Sequence, residues 1–277
     1  MKLKNILAFA SLVAFTVGCE DIKESERFIA VEIPETPDTP DTPGVIQPKN
    51  VLIEDFTGML CINCPDAAAR ITELQEFYGH DRVIAVAIHG DMPGLSGPLK
   101  NDLGTEYYKH WGVQSLPIGM VDRNGGLQNH TSWMALTSER LAVTSLVNLS
   151  LENTTYDAAE RALTVQVDAQ AEAGLNAKLQ VWITESNIVA FQKQPDGSTN
   201  PRYVHNHVLR GAVNGSWGET ISLEAGVEQP VTYHYTVPSA WVAENLSVVA
   251  FVYDSSTNEV IQVIEQPLFE TEDSENL

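Results

Sequence analysis

The sequence predicts a mixed fold, an α/β unit followed by an antiparallel β-sandwich of immunoglobulin-like type. Two apolar runs of strand length, Val51-Leu52-Ile53-Glu54-Asp55-Phe56 and Val83-Ile84-Ala85-Val86-Ala87-Ile88, enclose a segment with helical spacing. That order is a strand, helix, strand unit with a parallel crossover. From Val147 onward the apolar period changes to two, as in Leu163-Thr164-Val165-Gln166-Val167 and Leu179-Gln180-Val181-Trp182-Ile183. Seven or more short strands separated by turns such as Pro195-Asp196-Gly197 and Asn214-Gly215 suit a sandwich. No helical pattern interrupts them, so a domain boundary is expected near residue 145.

Along the chain, residues 1–18 come first. Lys2 and Lys4 precede an apolar run from Ile6 to Val17 that ends in Gly18 and Cys19. The run falls short of the roughly 20 residues that span a bilayer as a helix and reads as a secretory signal. A small residue followed at once by cysteine resembles the bacterial lipoprotein signal, in which the thiol is acylated and the chain is cut just before it. The resemblance implies lipidation at Cys19 and a membrane anchor. Thr16 stands where leucine is usual.

Residues 19–48 are read as an acidic, proline-rich tether. Residues 20–43 carry eight acidic and two basic side chains, and the prolines at 34, 37, 40 and 43 block helix at the residue before each. Glu20-Asp21 resembles an export signal of surface lipoproteins in Bacteroidetes. A second acidic stretch, residues 269–277, ends the chain. With 37 acidic against 16 basic residues and a formal charge of -21, the protein is repelled by phosphate backbones, so no nucleic-acid partner is expected.

The α/β unit, residues 49–144, carries the chemistry. Thr57-Gly58-Met59-Leu60 leads into Cys61-Ile62-Asn63-Cys64-Pro65, and Ala67, Ile71, Leu74 and Tyr78 then recur at helical spacing up to Gly79. The cysteine pair therefore stands where a strand hands over to a helix. Free amides and the helix dipole at such an end stabilise a thiolate, and thiols so placed have pKa values lowered to about 3.5–7.5. Cys61 would attack and Cys64 would resolve, with Asp55 a candidate base if strand alternation aims it beneath the helix start. Glu54 pointing inward instead is the alternative. Half of a zinc site looks the same, but the third cysteine is at residue 19 and His80, His89 and His110 are scattered. No metal and no cofactor are expected.

These residues resemble the thioredoxin superfamily, which has an aspartate at this spacing and a cis-proline facing the cysteine pair. The resemblance implies a thioredoxin-like domain with Pro117, in Ser115-Leu116-Pro117-Ile118, in that role. A closer resemblance is to the Bacteroidetes lipoproteins related to outer membrane protein 28. It rests on the leader, on Leu52-Ile53-Glu54-Asp55-Phe56-Thr57-Gly58 running into the cysteine motif, and on Asn206-His207-Val208-Leu209-Arg210, and it covers residues 48 to 268. It implies an outer-membrane lipoprotein whose partners are the membrane and a protein or thiol substrate. Leu60 replaces the tryptophan usual before the first cysteine, and Ile62-Asn63 replaces glycine and proline. The dipeptide tunes potential, so reduction, oxidation, isomerisation and a closed structural disulfide all stay open.

Other polar groups are read more plainly. His89 and Asp91, at the entrance to the insertion Gly90 to Pro98, are expected to be solvated loop residues. A helix is expected near Asn101 to Trp111 and another over Ser132 to Ala142. In the sandwich, residues 145–268, His205 and His207 are expected on one face of a strand running from Tyr203 to Val213. Arg210 is expected to pair with a buried carboxylate or meet the first domain.

Overall fold

The computed structural model describes residues 47–269. The expected leader, Cys19, nearly all of the tether and all but the first residue of the acidic tail lie outside the described residues. The elements of the first half are β1 (Val51–Thr57), α1 (Cys64–Tyr78), β2 (Val83–His89), α2 (Asp102–Trp111), β3 (Ile118–Val121) and α3 (Trp133–Leu141). Those of the second are β4 (Val147–Ser150), β5 (Thr155–Asp157), β6 (Ala162–Ala171), β7 (Leu175–Glu185), β8 (Ile188–Lys193), β9 (Thr199–His205), β10 (Val208–Ala212), β11 (Glu219–Leu223), β12 (Glu228–Thr236), β13 (Leu246–Tyr253) and β14 (Val260–Pro267).

Every residue of β1 is buried, which is why its apolar run is nearly continuous. A strand covered on both faces has no solvent side on which to place polar residues. It pairs in parallel with β2, Asp55 opposite Ala87 and Thr57 opposite His89, and antiparallel with β3. The even-numbered side chains Leu52 and Phe56 join Ile84, Val86 and Ile88 in a core that includes Tyr107 and Tyr108 of α2. The helices form where the sequence predicts them. Pro65 occupies the first turn of α1, Gly79 follows its end at a φ of 101°, and the side chain of Asn101 caps α2 by accepting from the amide of Gly104 at 2.7 Å.

The two halves share one sheet. Its order is β14-β13-β7-β10-β2-β1-β3, with β11 also on β7, and the joint is narrow. Val208 of β10 pairs with Ala87 of β2, and the Ala87 amide donates to the His207 carbonyl at 2.8 Å. A second sheet, β12-β6-β4 with β5 on β6, packs on the β7 and β13 part of the first through Leu163, Val165, Val167, Leu179, Val181, Val248 and Ala250. Alternation along β7 serves two cores at once, because Trp182 points to the opposite face and packs with Tyr107 and Phe251. The third sheet is the β8–β9 hairpin alone.

One expected strand is broken. The run from Tyr203 to Val213 divides into β9 and β10, because His207 has a φ of 57°, outside the extended region. His205 and His207 therefore do not sit one apart on a single strand face.

Candidate functional site

Cys61 and Cys64 form a disulfide with a Cα–Cα distance of 5.5 Å. Cys64 is the first residue of α1, and no side chain caps the helix at Asn63. A tight turn precedes the pair, the Cys61 amide donating to the Gly58 carbonyl at 3.1 Å and the Leu60 amide to the Leu95 carbonyl at 3.1 Å. Position 58 has no room for a β-carbon, which would run into the Leu95 carbonyl oxygen. The sulfur pair is covered, with Cys61 2% and Cys64 3% exposed. Its neighbours Leu60 and Ile62 are 38% and 44% exposed.

The cover includes a part of the chain some 130 residues away. From β8 the Gln192 side chain donates through Nε2 to the Cys61 carbonyl at 2.9 Å and to the Gly58 carbonyl at 3.3 Å, and the Lys193 backbone amide donates to the Met59 carbonyl at 2.9 Å. The hairpin of the second half thus holds the cysteine loop of the first. No local pattern in the sequence predicts this pairing.

Asp55 and Glu54 both turn inward, onto opposite faces of β1. Asp55 faces α1, and its Oδ1 is buried without a hydrogen-bond partner among the described residues. Burial pushes its carboxyl up to about 8. On the adjacent strand and the same face stands His89, also buried. Burial, then the neighbouring His205 and Arg210, hold its imidazole down at about 3, and the two histidine rings lie 5.9 Å apart. This corrects the expectation of a solvated loop histidine. The alternation Ala85, Ala87, His89 carries on from the apolar run of β2 and was the available signal. Asp91 is exposed and pairs with Lys100 at 2.6 Å.

Asp55, Cys64 and His89 line a groove of about 460 Å3. One side is α1, through Pro65, Ala68 and Thr72; the other is the continuous stretch from Tyr203 to His207. Burial pushes the His207 imidazole down to about 4 and lowers that of His205 as well. The Tyr203 hydroxyl is raised by burial and then by Asp55. Pro117 is buried at the start of β3, and the Leu116–Pro117 peptide is cis. It is not part of this groove.

On the opposite face Glu54 accepts from Arg123 through both oxygens, at 2.8 and 3.0 Å. Burial disfavours the guanidinium, but Glu54 outweighs it and holds Arg123 charged. Arg210 pairs with the buried Glu185 at 3.1 Å and stacks over Trp241 at 5.4 Å. Tyr233, Tyr235 and Trp241 pack against the sandwich core. Among the described residues no group of three or more His, Cys, Asp and Glu side chains is placed to hold a metal ion. No helix among them is long and apolar enough to cross a membrane.

Fold and site together define a mixed α/β protein in which a β-rich half covers a C-x-x-C disulfide at a strand to helix junction. The chain belongs to the family of outer membrane protein Omp28, whose model matches residues 104–272, and this places it in the cell envelope. The matched segment begins beyond both paired cysteines. Among solved structures, HBP35 of Porphyromonas gingivalis is similar at 18% identity over 83% of this chain and 79% of its own, with a TM-score of 0.67. Protein AGR_C_4864 from Agrobacterium tumefaciens is 14% identical over 84% of this chain and 100% of its own, with a TM-score of 0.52. At these identities the likeness is one of fold. A domain of the outer membrane lipoprotein Omp28 from Porphyromonas gingivalis is 29% identical over 44% of this chain and 86% of its own, with a TM-score of 0.31. No curated protein matches the chain.

Proposed function

We propose that this protein is a lipid-anchored member of the outer membrane, tethered through Cys19, whose residues 49–144 form a thioredoxin-like domain that exchanges disulfides through Cys61 and Cys64. Residues 145–268 form an immunoglobulin-like sandwich that binds or positions a partner. The observation that carries the reading is the closed pair at the N-terminus of α1, whose Cys64 lines the same groove as Asp55, a buried carboxyl with no partner for its Oδ1 among the described residues. The strand order β2-β1-β3 supports it as well.

In the reductive direction the Cys61 thiolate attacks one sulfur of a partner disulfide and expels the other as a thiolate. Once the Asp55 carboxyl has released its own proton to solvent, its carboxylate takes the proton of Cys64, and the Cys64 thiolate attacks the Cys61 sulfur, which releases the second partner thiolate. Two electrons pass from the cysteine pair to the partner, and the pair closes. A carboxyl near 8 lies close to an ordinary thiol at about 8.5, so the proton moves between them at little cost.

The test is insulin reduction driven by dithiothreitol. Cys61→Ser is expected to abolish turnover, and Cys64→Ser to trap a mixed disulfide on Cys61. Turnover equal to the parent in both variants sinks the reading. One observation favours a second reading, a structural disulfide in a binding lipoprotein, namely that both cysteines are covered and hydrogen bonds from β8 hold their loop. The potential separates the two, since a value well below about -300 mV marks a structural bond.

A further inference from the structure

The groove between α1 and the hairpin has the make-up of a binding site, and it lies on the Cys64 side of the disulfide rather than around Cys61. Its volume of about 460 Å3 is within the range of roughly 300–1,000 Å3 that ligand sites occupy. Three residues that line it each hold a fully buried polar atom without a hydrogen-bond partner among the described residues. The atoms are Asp55 Oδ1 from β1, His89 Nδ1 from β2 and His207 Nδ1 from the link between β9 and β10. Buried polar groups are ordinarily satisfied, and three unsatisfied ones from separate segments gather around this one groove.

The shape of the far wall narrows the class of ligand. Side chains alternate across a strand, so a wall to which Tyr203, Val204 and His205 all contribute presents the edge of β9 rather than one face. That edge is open, because β9 pairs with β8 and with no other strand among the described residues. An open strand edge offers the alternating donors and acceptors that an extended peptide matches. The facing wall of Pro65, Ala68 and Thr72 carries short side chains and leaves width for a backbone. At the rim Val204 is 46% exposed and lies opposite the exposed Val189 across the hairpin.

Charge narrows it further. Burial keeps Asp55 protonated at neutral pH and His89, His205 and His207 uncharged, so the groove is neutral in a chain of formal charge -21. A charged side chain entering it would lose hydration and meet no counter-charge.

We propose that this groove binds an extended, uncharged polypeptide segment of a partner protein, which adds to the free edge of β9 beside Cys64. The proposal rests on the exchange reading only for the claim that the bound protein is also the exchange partner. Binding itself is tested without any thiol in the probe.

The probe is an acetylated and amidated octapeptide of Ser, Thr, Val and Gly, titrated into the full chain with its disulfide closed and followed by calorimetry. Saturable binding is expected, weakened at least tenfold when two central residues of the peptide are Asp. Ala68→Trp, which fills the groove from α1, is expected to weaken it at least tenfold. Should that variant not fold by circular dichroism, Thr72→Trp on the exposed part of the same wall takes its place. No binding at millimolar peptide, equal binding of the neutral and acidic peptides, or indifference to the filled groove overturns the proposal. The Cys61→Ser variant separates the two claims, because Cys61 does not line the groove: it must lose insulin reduction and keep the peptide. Binding without turnover in the parent leaves the groove standing and removes the exchange, and turnover without binding does the reverse.

Discussion

Two adjacent carboxylic acids on one strand meet opposite fates. Glu54 and Asp55 are equally buried, and alternation sends them to opposite faces of β1. Glu54 enters a pocket where Arg123 grips both oxygens and the guanidinium lies 4.9 to 5.8 Å from the rings of Trp111, Trp182, Phe251 and Tyr253. Asp55 enters a groove with no cation and no hydrogen-bond partner for its Oδ1. Burial is common to both, so pairing decides the outcome. A paired carboxylate becomes part of the core, and an unpaired one is held protonated.

The largest effect should come from breaking the paired side. Arg123→Ala leaves Glu54 buried without its cation and is expected to cost about 3–5 kcal/mol in urea unfolding. Replacing both partners with apolar residues, Glu54→Leu with Arg123→Met, is expected to restore most of that. A single variant as stable as the parent would remove the contrast between the faces.

The next effect has the opposite sign. The folded-state pKa of Asp55 is raised to about 8, so between pH 4 and 8 the native state holds a proton that the unfolded state has released. Stability from this group is therefore complete below about pH 4 and is lost as the pH climbs to 8. Asp55→Asn removes that slope and is expected to raise stability at pH 8 on the order of 3 kcal/mol, about half of what the full shift would give at roughly 1.36 kcal/mol per unit. Insulin reduction in the same variant is expected to fall about 10²-fold. Thermal melts of parent and variant from pH 4 to 8 check the first; the buried histidines act alike in both, so a stability difference between the two that does not change over this range would contradict it.

The smallest effect sharpens the comparison from outside. Asp91 and Lys100 pair at 2.6 Å with about half of each side chain exposed, so Asp91→Ala is expected to change stability by less than about 0.5 kcal/mol. A larger loss in urea titration would mean that burial is not what separates the three carboxylates.

Much of the first half was legible because its signals are local. The nearly continuous apolar run of β1, the proline in the first turn of α1 and the glycine after its end act within a few residues, and they placed the cysteine pair at a helix start. His89 was misread because a histidine beside Gly90 and Asp91 looks like the start of a loop, although its place in the alternation of β2 points it under α1. Gln192 and Tyr203 carried no signal, since their roles depend on a hairpin some 130 residues from the cysteines. The break between β9 and β10 was missed because nothing in Asn206-His207 demands a left-handed residue.

The family assignment agrees with the resemblance read from the motifs. The matched segment runs from within α2 through α3 and the strands of the second half, and both paired cysteines lie before it. By itself the sequence determined the strand, helix, strand order of the first half, that two cysteines three apart stand at a helix start, and that the second half alternates. These follow from steric preference and from periodicity in a window of a few residues. Only the tertiary structure decided that β10 joins the halves into one sheet, that the hairpin covers the disulfide, and that Asp55 is left without a cation while Glu54 has one. Those outcomes depend on which distant surfaces exclude water together, and no local stretch of sequence encodes that.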